Sequence, residues 1–223
     1  MNSLSLPTLL IISALSCALV FIPHTWKWVM THFVTLAHES GHAIMGILTF
    51  GRVGHIKIHF DRSGETVTSR GLRILPIGAC LSLLSGYPFP ILLGAFMLAA
   101  SQTAWYMIAF WVVAAIGVMC AVFIRNVFGF LIVAIWAAFF AYLAIENPPY
   151  AMTAFVAAAI FLILGGLKDL VGLIRMYFRK QTGETDLGIL KGHTHIPEGI
   201  WLIMMTGIST VAPVFIYTSL SII

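Results

Sequence analysis

The stretch Ile74-Leu75-Pro76-Ile77-Gly78-Ala79-Cys80-Leu81 opens a run that continues to Cys120-Ala121-Val122-Phe123-Ile124 without one Lys, Arg, Asp or Glu. A single helix crossing a bilayer needs about 20 apolar residues, so this run crosses at least twice. The rest of the chain agrees: 60% of its residues are hydrophobic and 9% charged, against about 45–50% and 25% in soluble domains. The chain reads as an all-α polytopic membrane protein forming one integral membrane domain over residues 1–223. The net charge of +4 does not point to a nucleic-acid partner, because the basic residues sit in short connections between apolar runs, where they act as topology signals.

Working outward, the apolar runs predict about seven transmembrane helices, near 4–22, 33–50, 74–99, 104–124, 127–145, 150–174 and 199–221. Gly86-Tyr87-Pro88-Phe89-Pro90 should kink or interrupt the third, and Pro148-Pro149 stops the fifth, since proline cannot continue a helix. Leu4 to Ile22 has no basic residues before it, so it reads as a retained span rather than a cleaved secretory signal. Cys17, Cys80 and Cys120 each lie inside an apolar run with no Cys-x-x-Cys pair, and read as small core residues.

Alternate connections must share a side of the membrane. Arg52, Lys57, Arg62, Arg70, Arg73, Arg125, Lys168, Arg175, Arg179, Lys180 and Lys191 all fall on one side, with Lys27 alone on the other. Cytoplasmic loops are enriched in Lys and Arg, which predicts a cytoplasmic N-terminus and a C-terminus outside. Within the first of these loops, Ile56, Ile58 and Phe60 alternate with His55, Lys57 and His59, the period of a half-buried strand. Asp61-Arg62-Ser63-Gly64 reads as a turn and Glu65 to Ser69 as a return strand, giving a small cytoplasmic β-hairpin within 53–70, directly after the second span. The connection Arg175–Glu198 has no obvious type.

The second span carries His38-Glu39-Ser40-Gly41-His42. Residues four apart share a helix face, so both imidazoles can reach one metal ion while Glu39 stands beside it. With one further ligand, tetrahedral zinc keeps a position open for water and lowers its pKa toward about 7. Glu39 is then the candidate acid/base that moves the proton. Such a string arises by chance in roughly one sequence of this size and composition per hundred. Its place inside an apolar span weighs more, because ionisable groups there are expensive and usually functional. Ala37 and Gly41 would let another helix approach closely. For the third ligand the first choice is Asp169, which falls near the cytoplasmic end of the sixth span; Asp186, His193 and His195 are the other candidates.

These residues resemble the site-2 protease family of intramembrane zinc metallopeptidases, more closely its short bacterial members that lack a PDZ domain. The resemblance is carried by Ala37-His38-Glu39-Ser40-Gly41-His42-Ala43, Gly51-Arg52-Val53 and a strand pair with Ser63-Gly64 at its turn. Gly86-Tyr87, Arg125-Asn126-Val127-Phe128-Gly129 and Asp186 with Leu190, Thr194, Ile196-Pro197 and Trp201 support it. It implies Zn2+ on His38 and His42, Glu39 as the acid/base, and hydrolysis of peptide bonds in membrane protein or peptide substrates. It also implies a lipid-bilayer location, as an integral protein of a bacterial inner membrane. Family members complete the metal site with the Asp of an Asn-Pro…Asp-Gly segment, whereas Asp169 follows Gly165-Gly166-Leu167-Lys168 and precedes Leu170. Asn126 is a candidate substrate or oxyanion contact. Two other readings remain open at this point: a catalytically inactive membrane scaffold of the same fold, and a small transporter in which the histidines and Glu39 carry protons or a metal ion.

Overall fold

A computed structural model describes residues 27–61, 63–69 and 76–220, with short pieces at 7–8, 11–12 and 14–15. The first expected span, near 4–22, therefore lies mostly outside the described residues.

The described chain is mostly helical. α1 (Lys27–Leu48) leads into a hairpin of β1 (Arg52–Ile58) and β2 (Gly64–Ser69). Then follow α2 (Pro76–Ser85), α3 (Pro88–Ala100), α4 (Tyr106–Phe123), α5 (Val127–Glu146), α6 (Ala151–Phe178), α7 (Asp186–Thr194) and α8 (Glu198–Leu220). Four of these, α4, α5, α6 and α8, are long and apolar enough to cross a membrane. α2 and α3 make a fifth if taken together, since they are one apolar run bent by 63° at its break. The break falls at Gly86-Tyr87, where the prolines at 88 and 90 cannot donate the hydrogen bonds that would continue α2. α1 has 22 residues, which at 1.5 Å each suffices for a bilayer. It is less apolar than the other four because His32, His38, Glu39 and His42 interrupt its hydrophobic run. The described residues thus hold four or five apolar spans, where the sequence predicts about seven.

Two hydrophobic clusters organise the molecule. The larger joins α1, α3, α4, α5 and α6 around Phe33, Phe110, Phe140, Phe155 and Leu162, with Phe33 stacked on Trp136 at 4.0 Å. The smaller joins α2, α6, α7 and α8 through Leu84, Leu170, Leu173, Leu187, Leu190, Trp201, Leu202 and Met205. α7 belongs to the second cluster alone. Leu187 and Leu190, both fully buried and three apart on one helix face, hold it there. With Ile189 the only other large apolar residue among Gly188, Lys191 and Gly192, the segment makes no helical periodic signal, which is why the sequence does not predict this helix. α6 also continues to Phe178, past the end that the sequence suggests.

The hairpin is antiparallel, with Ile56 opposite Thr66 and Ile58 opposite Gly64. It does not stand apart from the helices but lies back along one face of α1. Glycine 46 approaches Thr68, Glu39 meets Thr66, and His32 Nε2 donates to the His59 carbonyl at 3.1 Å. These α1 positions are seven apart, two helical turns each, and so form a single stripe. The other edge of β1 is occupied: Arg125 N–H donates to the Ile56 carbonyl at 3.0 Å, and Ile124 bridges Ile56 in parallel.

Candidate metal centre

His38 and His42 project from adjacent turns of α1, their rings edge to face with centroids 4.7 Å apart. α7 brings Asp186 against both from the other cluster. Asp186 Oδ2 lies 3.2 Å from His38 Nε2 and 3.3 Å from His42 Nε2, and the two Nε2 atoms are 3.1 Å apart. Among the described residues these three form the group whose donor atoms could hold a metal ion.

The triangle fits zinc. Bonds of 2.0–2.1 Å in a tetrahedron separate ligand atoms by about 3.3–3.4 Å, close to all three distances. The chemistry of the donors agrees. His42 Nδ1 lies 2.7 Å from the Ser82 carbonyl, which can only accept, so Nδ1 carries a proton and Nε2 is the ring nitrogen left to face Asp186 and a metal ion. Asp186 Oδ2 is buried and makes no hydrogen bond of acceptable geometry, although it sits within 3.3 Å of both imidazoles. A buried carboxylate oxygen without a partner is costly, and a cation at the shared centre satisfies it. Burial by itself pushes the Asp186 carboxyl up, but His42 and His38 outweigh it and hold the group below the usual carboxylate range.

The ligands are fixed from outside the motif. Ser82 grips His42 twice, since its hydroxyl also donates to the His42 carbonyl at 2.8 Å. The Tyr87 ring stands edge-on to His38 with centroids 4.8 Å apart. Between them, Gly86 lies so close that a Cβ there would come 2.5 Å from His42 Nε2 and 2.8 Å from His38 Cε1. Glycine 41 plays the part expected of it, because a Cβ would meet Phe89 Cβ at 2.6 Å. On the other side, Glu198 at the start of α8 accepts from Thr182 Oγ1 at 2.7 Å and from Lys191 Nζ at 3.0 Å. Those two residues flank Asp186 in sequence, so one carboxylate ties down both ends of the segment that carries it.

Glu39 is buried, and its Oε2 accepts a hydrogen bond from Thr66 Oγ1 of β2 at 2.6 Å. Its other side lies against Gly64, where a Cβ would come 2.7 Å from Glu39 Cδ. The hairpin turn therefore covers the carboxylate, and only a glycine fits beneath it.

The remaining candidates lie elsewhere. Asp169 is exposed on α6 and stands outside the donor group. His193 and His195 are at the far end of α7 from Asp186, about 10 Å along the helix axis. His193 Nδ1 lies 2.9 Å from the Ile189 carbonyl, and His195 forms the left-handed C-cap. Asn126 has both amide atoms engaged by Ile58 of β1. Ser82, Thr66, Thr182 and Glu198 carry no sequence signal of their role; Gly86 is visible in the sequence as part of the break before Pro88 and of the resemblance, and not as a neighbour of the histidines.

Residues 10–216 match the family model described as Peptidase M50B-like. The chain belongs to this family. Nearly the whole chain is covered, including both motif histidines, Glu39 and Asp186. Membership in a peptidase family, joined to several apolar helices and a two-histidine, one-carboxylate donor group, makes the protein a membrane-embedded member of a metallopeptidase lineage. No curated protein and no solved structure matches the chain.

Proposed function

We propose that the protein is a zinc-dependent endopeptidase that hydrolyses peptide bonds of membrane-associated substrates. The observation that carries this reading is the triangle of His38 Nε2, His42 Nε2 and Asp186 Oδ2 with sides of 3.1–3.3 Å, whose two histidines share a helix with the buried Glu39. In this reading Asp186, not Asp169, completes the metal site.

A zinc ion bound there supplies Lewis-acid chemistry, polarising a carbonyl and making water acidic enough to ionise near neutral pH. Glu39 takes the proton from the attacking water and returns it to the leaving amine. Thr66 on Oε2 holds the carboxylate in one orientation. Ser82 keeps His42 in the tautomer that presents Nε2.

A helical substrate cannot be cut while its carbonyls are held in hydrogen bonds, so it must first be extended. β1 is covered on its outer side by residues 124–126, so that among the described residues β2 is the strand whose outer edge pairs with no other. The α4–α5 connection, β1 and β2 are neighbours in that order, and it is β2 whose Thr66 touches Glu39. A substrate strand added to β2 would pair with the strand whose Thr66 contacts Glu39. The charge asymmetry supports a cytoplasmic N-terminus, and with it an inner-membrane enzyme acting at its cytoplasmic side.

The test compares wild type with Glu39→Gln and Asp186→Ala in detergent, reading zinc by mass spectrometry and cleavage of a helix-destabilised single-span reporter. The expected result is about one zinc in wild type and in Glu39→Gln, none in Asp186→Ala, and cleavage by wild type alone. Cleavage that survives Glu39→Gln, or zinc retained in full by Asp186→Ala, overturns the reading.

A further inference from the structure

Asn126 precedes α5 in extended conformation, at φ −129 and ψ 146, the place where an asparagine side chain normally turns inward to cap the helix. Here it makes no cap hydrogen bond. Its side chain is directed to the sheet, where Nδ2 donates to the Ile58 carbonyl at 2.7 Å and Oδ1 accepts from Ile58 N–H at 3.3 Å. The pair admits only one orientation of the amide, since reversing it would set donor against donor. The side chain thus completes a third, partial strand begun by Ile124 and Arg125 on Ile56. Glycine 129, one turn into α5, makes room for this: a Cβ there would lie 2.6 Å from Asn126 Oδ1 and 3.3 Å from Ile58 N.

The sheet carries this contact to the site. Ile58 and Ile56 are the fully buried residues of β1, and Ile56 pairs with Thr66 across the hairpin. Thr66 in turn donates its hydroxyl to Glu39 Oε2 at 2.6 Å. A strand that slips by one residue turns every side chain to the opposite face, so the register of β1 against its neighbours decides whether the Thr66 hydroxyl meets Glu39.

We propose that Asn126 is a positioning residue for Glu39: it locks the register and depth of the hairpin, and through Thr66 it sets the orientation of the carboxylate that moves the proton. The inference rests on the peptidase reading above, and it removes Asn126 from direct contact with substrate or with the oxyanion.

The experiment is a double-mutant cycle of Asn126→Ala and Thr66→Val in the full chain. It reads kcat and KM on the single-span reporter, zinc content, and hydrogen–deuterium exchange over residues 52–69. Each single variant is expected to lower kcat about 10–100-fold, the usual range for partners that orient a reacting group, with KM and zinc content unchanged. The double variant is expected to be no slower than the slower single. Asn126→Ala is also expected to speed exchange in both strands, whereas Thr66→Val leaves β1 unchanged. Losses that multiply, or a raised KM with unchanged exchange, identify a direct substrate or oxyanion contact and overturn the proposal. If Asn126→Ala fails to hold zinc, Gly129→Ala, which presses a methyl group on Oδ1, replaces it in the same cycle. If wild type cleaves nothing, the peptidase reading fails by itself, and exchange still decides the clamp: unchanged protection of β2 in Asn126→Ala refutes it.

Discussion

Gly86→Ala tests whether the metal site is held by the chain around it as tightly as the geometry requires. The new methyl group would start 2.5 Å from His42 Cε1 and Nε2, and ordinary contact begins at 3.4 Å, so about 0.9 Å must be found. His42 cannot supply it, because its Nδ1 is anchored at 2.7 Å to the Ser82 carbonyl. His38 is flanked by the Tyr87 ring. Zinc sites tolerate ligand displacements of only about 0.2 Å, and a 1 Å misplacement commonly costs about 100-fold. Gly86→Ala should therefore weaken zinc binding at least about 100-fold, equivalent to about 2.7 kcal/mol. The assay is competition with a chromogenic chelator in detergent, with Gly172→Ala as control. Nothing lies within 4 Å of a Cβ at Gly172 in α6, so there alanine should leave affinity unchanged and stabilise the helix by about 0.5–1 kcal/mol. A Gly86→Ala protein that binds zinc within threefold of wild type would refute the account of a site built by close approach.

Gly64→Ala should do the reverse: its methyl group falls on the Glu39 carboxylate, so zinc content should be kept while cleavage drops by about 100-fold or more. Glu198→Ala releases Thr182 and Lys191 at either side of Asp186, and zinc affinity should fall about 10–100-fold; in an Asp186→Ala background the same change should have no further effect. Leu190→Ala removes a fully buried anchor of α7, at a cost of about 2–5 kcal/mol; because the same anchor holds Asp186 at the histidines, zinc should bind less tightly, so thermal stability measured with and without chelator should differ less than in wild type. For the unmodified protein, chelation should raise hydrogen exchange in residues 182–198 before it does so in α4 and α5, because α7 belongs to the smaller cluster.

The mostly helical, apolar character of the chain, the hairpin and the pairing of His38 with His42 on one helix face were legible in the sequence, because each depends on local regularities. Helices show in composition and length; the break at Gly86-Tyr87, the turn at Ser63-Gly64 and the alternation in β1 follow from residues a few positions apart. His38 and His42 declare themselves through helical spacing, with Glu39 between them. The third ligand had no such signature. Asp169 lies near the end of an apolar run and Asp186 in the polar connection that follows it, and their distance along the chain from His42 says nothing about distance in space. Leu187 and Leu190 docking against Leu170, Leu173 and Trp201 bring Asp186 to the histidines and leave Asp169 exposed. The same holds for Ser82 on His42, Thr66 on Glu39 and Asn126 on β1. Each is an ordinary polar residue made specific by a partner that is remote in sequence, so tertiary packing alone decided what it touches.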